Sequence, residues 1–301
     1  MLKIADLNHW AGGLIVACEN GKDPIWKIHS FSLDMNSLYH LGTKIGLVTG
    51  RRLHTGQPGD TFSAGQKPIM EIRMKDADMA EANASNVALD LLRIHSIITR
   101  ALSITSEKSQ RFAQDGFPDA STKEGFLCYA RSFVSVLHGH HLTENELAFP
   151  YFRERLPDAP YDLLIVQHQE LVHVLDEVKA AIEEVSADRQ AAASLNRLNQ
   201  ALRRLADLWH PHIGIEQDHF TAAKLEALIN REEHIRLGKL FAEHGQKHMG
   251  PGYLVVPFLL YNLTPEERVI LARNMPFLLT HLLVPLVWKA RWASMRPFLL
   301  S

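Results

Sequence analysis

Two pairs of metal-binding residue types, each pair spaced four positions apart, constrain this chain more than any other feature. The pairs are His140 with Glu144 and His212 with Glu216. In an α-helix, residues four positions apart differ by about 6 Å in height and about 40° in direction, so both side chains can reach one metal ion. The carboxylate of such a pair can instead bridge to a second ion. The spacing therefore predicts a metal site whose ligands come from helices.

Helical periodicity begins near residue 83 and predicts four helices. The second and fourth helices carry the two His–Glu pairs, while the first carries His95 and the third carries His168 on its apolar face. Each helix thus offers at least one imidazole from the side that should face a core.

Capping and proline signals predict where these helices start and bend. The second helix is expected to begin near Ser121, the first residue of a capping box, and to bend or end near Pro150. The third should open after Pro160 and the fourth near Ser194, with a kink at Pro211.

The positions of the histidines relative to the connections predict how the helices are arranged. The midpoints between successive members of the set fall at 117.5, 154 and 190, inside breaker-rich stretches at 114–121, 153–160 and 186–194; the set is His95, His140, His168 and His212. In an antiparallel hairpin, residues at equal height lie symmetrically about the turn. We therefore predict an all-α fold, an up-down-up-down four-helix bundle over residues 83–246, with the four histidines at one level and facing inward.

The segments on either side of this bundle have different compositions. In residues 1–80, short apolar runs alternate with Gly, Asp and Pro, which predicts a poorly defined N-terminal segment, either partly disordered or a small β-rich unit. Residues 250–301 should form a C-terminal helical extension of short helices on one end or side of the bundle, with a clear helix start at Thr264. The surplus of basic residues there also permits contact with a membrane surface or a partner.

Charge, cysteine content and hydropathy exclude several classes of protein. The net charge of −2 gives no electrostatic case for nucleic acid binding. No apolar run reaches the roughly 18 residues that a membrane span needs. A stretch resembling a lipoprotein cleavage box ends at Cys18, but Asp6 and His9 interrupt the apolar run that such a signal requires. With only two cysteines, the chain is predicted to be cytoplasmic.

Burying four imidazoles and two carboxylates requires compensation. Each unpaired polar group costs about 1–3 kcal/mol in an apolar interior, and an unpaired charge costs more. Bound metal would neutralise the carboxylates and occupy the imidazole lone pairs. Mixed imidazole and carboxylate donors suit Fe, Mn or Zn, and the predicted ligands are His95, His140, Glu144, His168, His212 and Glu216.

In order and spacing these residues resemble the hemerythrin-like, HHE cation-binding family. The resemblance covers roughly residues 83–230 and rests on His95, His140-His141-Leu-Thr-Glu144 with Phe149-Pro150, His168, and His212-Ile-Gly-Ile-Glu216 with Phe220. It implies a non-haem centre of two Fe ions in a four-helix bundle, with Glu144 and Glu216 bridging and the four histidines as terminal ligands. Family members bind or sense dioxygen, nitric oxide or iron, and some repair iron–sulfur clusters or handle peroxide. A small diatomic ligand or peroxide is therefore the implied partner.

The chain also departs from the oxygen-carrying hemerythrins. Those proteins have a second histidine on the third helix where this chain has Leu164, and an aspartate where this chain has Gln217. The extra histidine of the iron–sulfur repair members is missing from the loop after the first helix. Fewer protein ligands leave more metal positions open to small molecules, which favours sensing, iron handling or redox chemistry over oxygen carriage.

Several alternatives remain open from the sequence. His138 and His141 point about 160° and 100° away from His140 on the helix, so we expect them at the rim or in supporting roles. The pair Glu170 and His173, with a second Glu-x-x-His after it, has the spacing of ferritin-like di-iron proteins, but it leaves the apolar face. Two further hypotheses are a metal-free helical protein and a regulatory module whose metal or ligand occupancy controls the binding of a partner. The sequence leaves undecided whether the protein is an enzyme.

Overall fold

The computed structural model describes residues 86–187 and 192–300, and in these ranges the chain is helical, with no strand. The predicted N-terminal segment, residues 1–80, lies outside the described residues. Four long helices form the bundle: α1 (Val87–Asp115), α2 (Ala120–Thr143), α4 (Tyr161–Ala187) and α5 (Ala192–His219). Between α2 and α4, a π-helical segment (Glu144–Ala148) leads into the short helix α3 (Phe149–Arg153). The all-α prediction is confirmed.

Side-chain caps explain where the first two helices begin. Asn86 caps α1, and its side chain accepts hydrogen bonds from two backbone N–H groups of the first turn. Asp119 caps α2 by accepting from the backbone N–H of Thr122 at 2.7 Å. The helix thus starts one residue before the predicted Ser121, because the aspartate just upstream supplies the cap. Gly116 ends α1 with a positive φ of 76°, a conformation that favours glycine.

The four long helices contact one another in a closed ring, α1 with α2, α2 with α4, α4 with α5 and α5 with α1. This is the neighbour pattern of an up-down-up-down bundle, because each helix packs against the ones before and after it. Helix α4 opens directly after Pro160, as predicted. Helix α5 continues unbroken through Pro211, and Pro150 lies in the first turn of α3.

The apolar core is divided into two clusters along the bundle axis. Leu137, Leu171 and Leu205 belong to the larger cluster. Phe149 and Leu164 belong to the smaller one, at the opposite end. The predicted metal ligands lie between these clusters, on the four long helices and at the first residue of the π-helical segment. The sequence therefore encloses these polar residues between two layers of apolar packing.

After α5 the chain forms a series of shorter elements. They are α6 (Ala222–Leu228), α7 (Arg231–His248), α8 (Gly252–Tyr261), α9 (Pro265–Arg273), a π-helical segment (Leu279–Val287), α10 (Lys289–Trp292) and a 3₁₀ segment (Ala293–Phe298). Helix α9 begins as predicted, since the Thr264 side chain accepts from the backbone N–H of Glu267. No helix in the described ranges is long and apolar enough to cross a bilayer.

Several of these elements pack against α1 and α2. Helix α7 contacts both, and α8 and the 3₁₀ segment contact α2. Arg100 of α1 donates to the side chain of Asn262 and to the carbonyl of Phe298. Gly125 of α2 lies against the backbone of Ser294, where no Cβ would fit. The extension therefore covers a second face of α2, while the boundaries at residues 83, 246 and 250 stay predictions.

Candidate metal centre

The four predicted histidines meet at one level in the middle of the bundle. The Nε2 atoms of His168 and His212 are 3.0 Å apart. The ring centroids of His95 and His140 are 5.1 Å apart. None of the four side chains is more than slightly exposed. The structure therefore contains the inward-facing level of histidines that the midpoints predicted. The four residues come from the four long helices, α1, α2, α4 and α5.

Both predicted carboxylates lie among these imidazoles. Glu144 Oε2 is 3.4 Å from His140 Nε2 and 3.5 Å from His168 Nε2. Glu216 Oε2 is 3.1 Å from His95 Nε2, and its Oε1 is 3.4 Å from His212 Nε2. The two oxygens of Glu216 thus face different histidines, an arrangement suited to a bridging carboxylate.

Many polar atoms at this level are buried without a hydrogen-bond partner. They are His95 Nε2, His140 Nε2, both ring nitrogens of His141, Glu144 Oε2 and both carboxylate oxygens of Glu216. Buried polar atoms are almost always paired in folded proteins, because each unpaired one costs about 1–3 kcal/mol. This concentration of buried nitrogen and oxygen atoms without hydrogen-bond partners, all of types that bind metal ions, is the structural observation that fits a bound cation.

The ligand atoms fall into two groups that share one residue. One group is His95, His140, Glu144 and Glu216, and the other is His141, Glu144, His168 and His212. In each group all ligand atoms lie within 4.8 Å of one another, and all the residues are buried. Two four-membered groups joined by a carboxylate have the composition of a two-metal site with mixed nitrogen and oxygen donors.

His141 is the site residue that sequence reasoning missed. Its position on the helix predicted a place at the rim or a supporting role, but the residue is 1% exposed. Its ring stacks on that of His168, with 4.2 Å between centroids, and meets His212 edge-on at 5.4 Å. The available signal was its position directly after His140, together with the adjoining Glu144.

The outer ring nitrogens of three histidines are held by side-chain amides. Nδ1 of His168 is 2.8 Å from Asn145 Oδ1, and Nδ1 of His212 is 3.1 Å from Gln167 Oε1. Nδ1 of His95 is 3.3 Å from the amide nitrogen of Gln217, the group that donates hydrogen bonds. Such contacts fix the orientation of metal-binding imidazoles, leaving Nε2 directed at the site. Gln217, which departs from the family pattern, thus has a position beside a predicted ligand.

Aromatic rings close the site above and below. Trp209 lies edge-on to His95 at 5.5 Å between centroids, and its indole N–H donates to Thr99 Oγ1 at 2.9 Å. On the other side, Phe149 stacks on His168 at 5.4 Å. These rings keep water from the histidines and limit their rotation.

Burial favours the neutral form of three histidines of this site, His140, His141 and His212. Desolvation lowers the pKa of His140 and of His141 well below the usual value, and the other imidazoles nearby lower both further. Desolvation likewise lowers the pKa of His212 to about 4. A neutral imidazole has a free lone pair, which is the form that binds a metal ion.

The two carboxylates are shifted in opposite directions. Burial, and then the charge of Glu216, raise the pKa of Glu144 well above its usual value. Burial also opposes ionisation of Glu216, but favourable interactions with His168 and His95 prevail and lower its pKa. Two close carboxylates cannot both ionise cheaply without a cation between them. Their proximity is therefore a second indication that this centre accommodates positive charge.

Other predicted candidates are placed away from the centre. His138, Glu170 and His173 are exposed. The ferritin-like alternative fails, because its Glu170 and His173 lie on the solvent side of α4. A separate surface group joins Glu146, His244 and His248, outside the bundle core.

Comparison with known proteins agrees with this geometry. The family model of the Hemerythrin HHE cation binding domain matches residues 90–223, which span α1 to the start of α6 and include every residue of both groups. The predicted resemblance is confirmed over this range. The searches of curated proteins and of solved structures gave no match.

Proposed function

We propose that this protein holds a non-haem di-iron centre, because residues 90–223 match the family model of the hemerythrin HHE cation-binding domain. The centre binds or senses a small ligand, O₂, NO or peroxide, or serves to manage iron. The observation that carries the proposal is the set of buried, unpaired nitrogen and oxygen atoms at one level of the bundle. Mn or Zn also suits this donor set.

We propose as ligands the six residues predicted from the sequence, together with His141. The six are His95, His140, Glu144, His168, His212 and Glu216. Glu144 belongs to both groups and would bridge two ions. Glu216, whose two oxygens face His95 and His212, would bridge as well.

Bound iron would supply redox chemistry and coordination positions open to a small ligand. The protein's own part is to hold the donors and exclude water. Asn145, Gln167 and Gln217 keep three imidazoles oriented. Trp209 and Phe149 restrict access from the two ends of the bundle. A cavity beside α2 reaches His140 and Glu144, and so offers a route for the ligand.

A regulatory role is the second candidate, and a contact next to the site favours it. Thr143, one residue before Glu144, lies 3.0 Å from Nδ1 of His244 in α7. His244 Nε2 in turn lies 2.8 Å from Glu146 of the π-helical segment. Ligand binding at Glu144 could therefore alter the position of α7 and the extension, and with it the binding of a partner. We further propose a cytoplasmic location, since the chain has only two cysteines.

Electronic spectroscopy of the iron-loaded, full-length protein tests the proposed ligand class. The reduced protein is mixed with O₂, NO or hydrogen peroxide, and the spectra are compared with those of the His140→Ala variant. We expect a ligand-dependent band in the wild type that the variant lacks. Identical spectra with and without all three ligands would contradict a ligand-binding role. Protection of residues 250–301 from proteolysis without turnover would favour regulation, while steady consumption of peroxide or NO would favour an enzyme.

A further inference from the structure

A large cavity lies between α1, α2 and the covering helices α7 to α9. Its volume is about 1090 Å³, and its lining includes His140 and Glu144. A water molecule occupies about 30 Å³, and a diatomic ligand is of similar size. A passage for such a ligand therefore accounts for only a small part of this space. The volume lies at the upper end of the range for pockets that enclose organic molecules.

Most of the cavity wall is apolar. The lining includes the buried rings of Phe149, Phe152 and Phe220 and the half-buried side chains of Leu91, Ile235 and Phe241. Such a wall gains free energy by enclosing apolar surface, about 25 cal/mol for each Å² removed from water. The contents that suit it are hydrocarbon rather than water or a polar metabolite.

The exposed part of the lining is polar and carries an excess of positive charge. The exposed charged residues there are Arg231, Lys239, Arg273 and Glu243. Within the described ranges, Lys239 and Arg273 have no ion pair and no side-chain hydrogen bond. Deeper in, Asp90 and Arg93 compensate each other at 2.7 Å. The mouth thus presents two cations that suit an anionic group.

We propose that the cavity binds a long-chain carboxylate, a molecule with the chemistry of a fatty acid. Its head group would meet Lys239 and Arg273 at the mouth, and its chain would fill the apolar interior. The far part of the cavity borders His140 and Glu144, so the chain would pass beside the proposed metal centre. The proposal rests on the proposed function where it places the chain of the ligand beside a metal centre. Binding of the carboxylate itself depends only on the cavity.

Displacement of a fluorescent fatty acid by oleate tests the proposal on the full-length, iron-loaded protein. We expect saturable binding of one oleate per chain, and much weaker binding of acetate, which lacks the chain, and of oleyl alcohol, which lacks the charge. The double variant Lys239→Gln, Arg273→Gln should weaken oleate about tenfold, the effect of roughly 1.4 kcal/mol. Ile235→Trp, which fills the cavity from α7, should weaken oleate and oleyl alcohol alike.

Matched controls are Lys179→Gln on α4 and Arg203→Gln on α5, which are exposed and do not line the cavity; their oleate affinity should equal that of the wild type. Failure of oleate to displace the probe from iron-loaded protein, or an unchanged affinity in Ile235→Trp, would overturn the proposal. Equal binding of oleate and oleyl alcohol would overturn the assigned head group. A protein that takes up no iron from iron-supplemented cells but still binds oleate would leave the cavity proposal standing and count against the proposed metal centre, so the two failures are distinguishable.

Discussion

Nε2 of His168 and Nε2 of His212 lie 3.0 Å apart, on neighbouring helices and fully enclosed by the bundle. Each ring has its Nδ1 facing an amide oxygen, and a proton on Nδ1 leaves the lone pairs of the two Nε2 atoms directed at each other. A cation that binds both lone pairs removes this repulsion. The contact therefore ties the fold of the bundle to the occupancy of its centre, because the same packing that brings α4 and α5 together creates the donor pair.

Removing His141 tests whether the seventh residue is a ligand. We expect His141→Ala to lower the iron content from about two ions per chain to about one, because the group with Glu144, His168 and His212 loses a donor. Metal analysis of purified protein gives the result. His138→Ala, three positions earlier and exposed, is the control and should keep its iron. Full iron content in His141→Ala would show that the ring only supports its neighbours.

Replacing an amide that holds a histidine should weaken metal binding without removing a ligand. Asn145→Leu takes away the partner of His168 Nδ1, so we expect iron affinity to fall by about 10–100-fold. Competition with a chelator of known affinity measures the change. The exposed Asn196→Leu on α5 makes the same chemical change away from the site. An affinity equal to that of Asn196→Leu would mean that His168 is oriented by packing alone.

The contact between α2 and the extension can be tested separately from the metal. Gly125→Ala places a methyl group against the carbonyl of Ser294, and we expect the free energy of unfolding to fall by about 1–3 kcal/mol. Denaturant unfolding provides the measurement. Gly214→Ala in α5 is the control: a Cβ there meets nothing within 4 Å, so stability should rise slightly through helix propensity. Unchanged stability in Gly125→Ala would show that the extension is not tightly packed on α2.

His234 of α7 gives stability a pH dependence outside the metal centre. Its Nδ1 accepts a hydrogen bond from the backbone N–H of Val87 at 3.3 Å, and burial lowers its pKa below the usual 6.5. The unfolded chain therefore takes up a proton near pH 6.5 that the folded chain does not, and the free energy of unfolding falls as the pH falls from 7 towards 5.

The His234→Gln variant isolates this contribution. Glutamine does not titrate, so the wild type should lose more stability than the variant between pH 7 and pH 5, when both are measured free of metal. The difference between the two unfolding curves removes the contributions of all other histidines. Parallel curves over this range would contradict a neutral His234 in the folded state.

The sequence predicted the bundle and six buried donors because both follow from helical geometry. Positions four apart share a helix face, and symmetry about the turns brings residues such as His95 and His140 to one level. His141 was missed because the prediction allowed α2 one apolar stripe. In the structure the inward-facing sector of α2 is wide enough to include both His140 and His141, and the ring of His141 contacts His168 and His212 of the neighbouring bundle helices. A single chain gives no pattern for such packing between distant segments.

The shape of the cavity was also beyond the sequence. Its lining comes from several helices, α1, α2, α7 and α9 among them, and combines residues as distant as Leu91 and Arg273. No local periodicity predicts that juxtaposition. The π-helical segment at Glu144–Ala148 was anticipated only as a bend near Pro150, since its wider turn depends on tertiary packing.

Counting iron in the purified full-length protein tests the central claim most directly. Protein from iron-supplemented cells should carry about two iron ions per chain. His140→Ala, His168→Ala and His212→Ala should each lose at least half of this iron and unfold at lower temperature, because metal binding and folding are coupled. His173→Ala, on the exposed face of α4, should match the wild type. Wild-type protein without bound metal, or a His173→Ala variant that loses iron while His168→Ala retains it, would contradict the account.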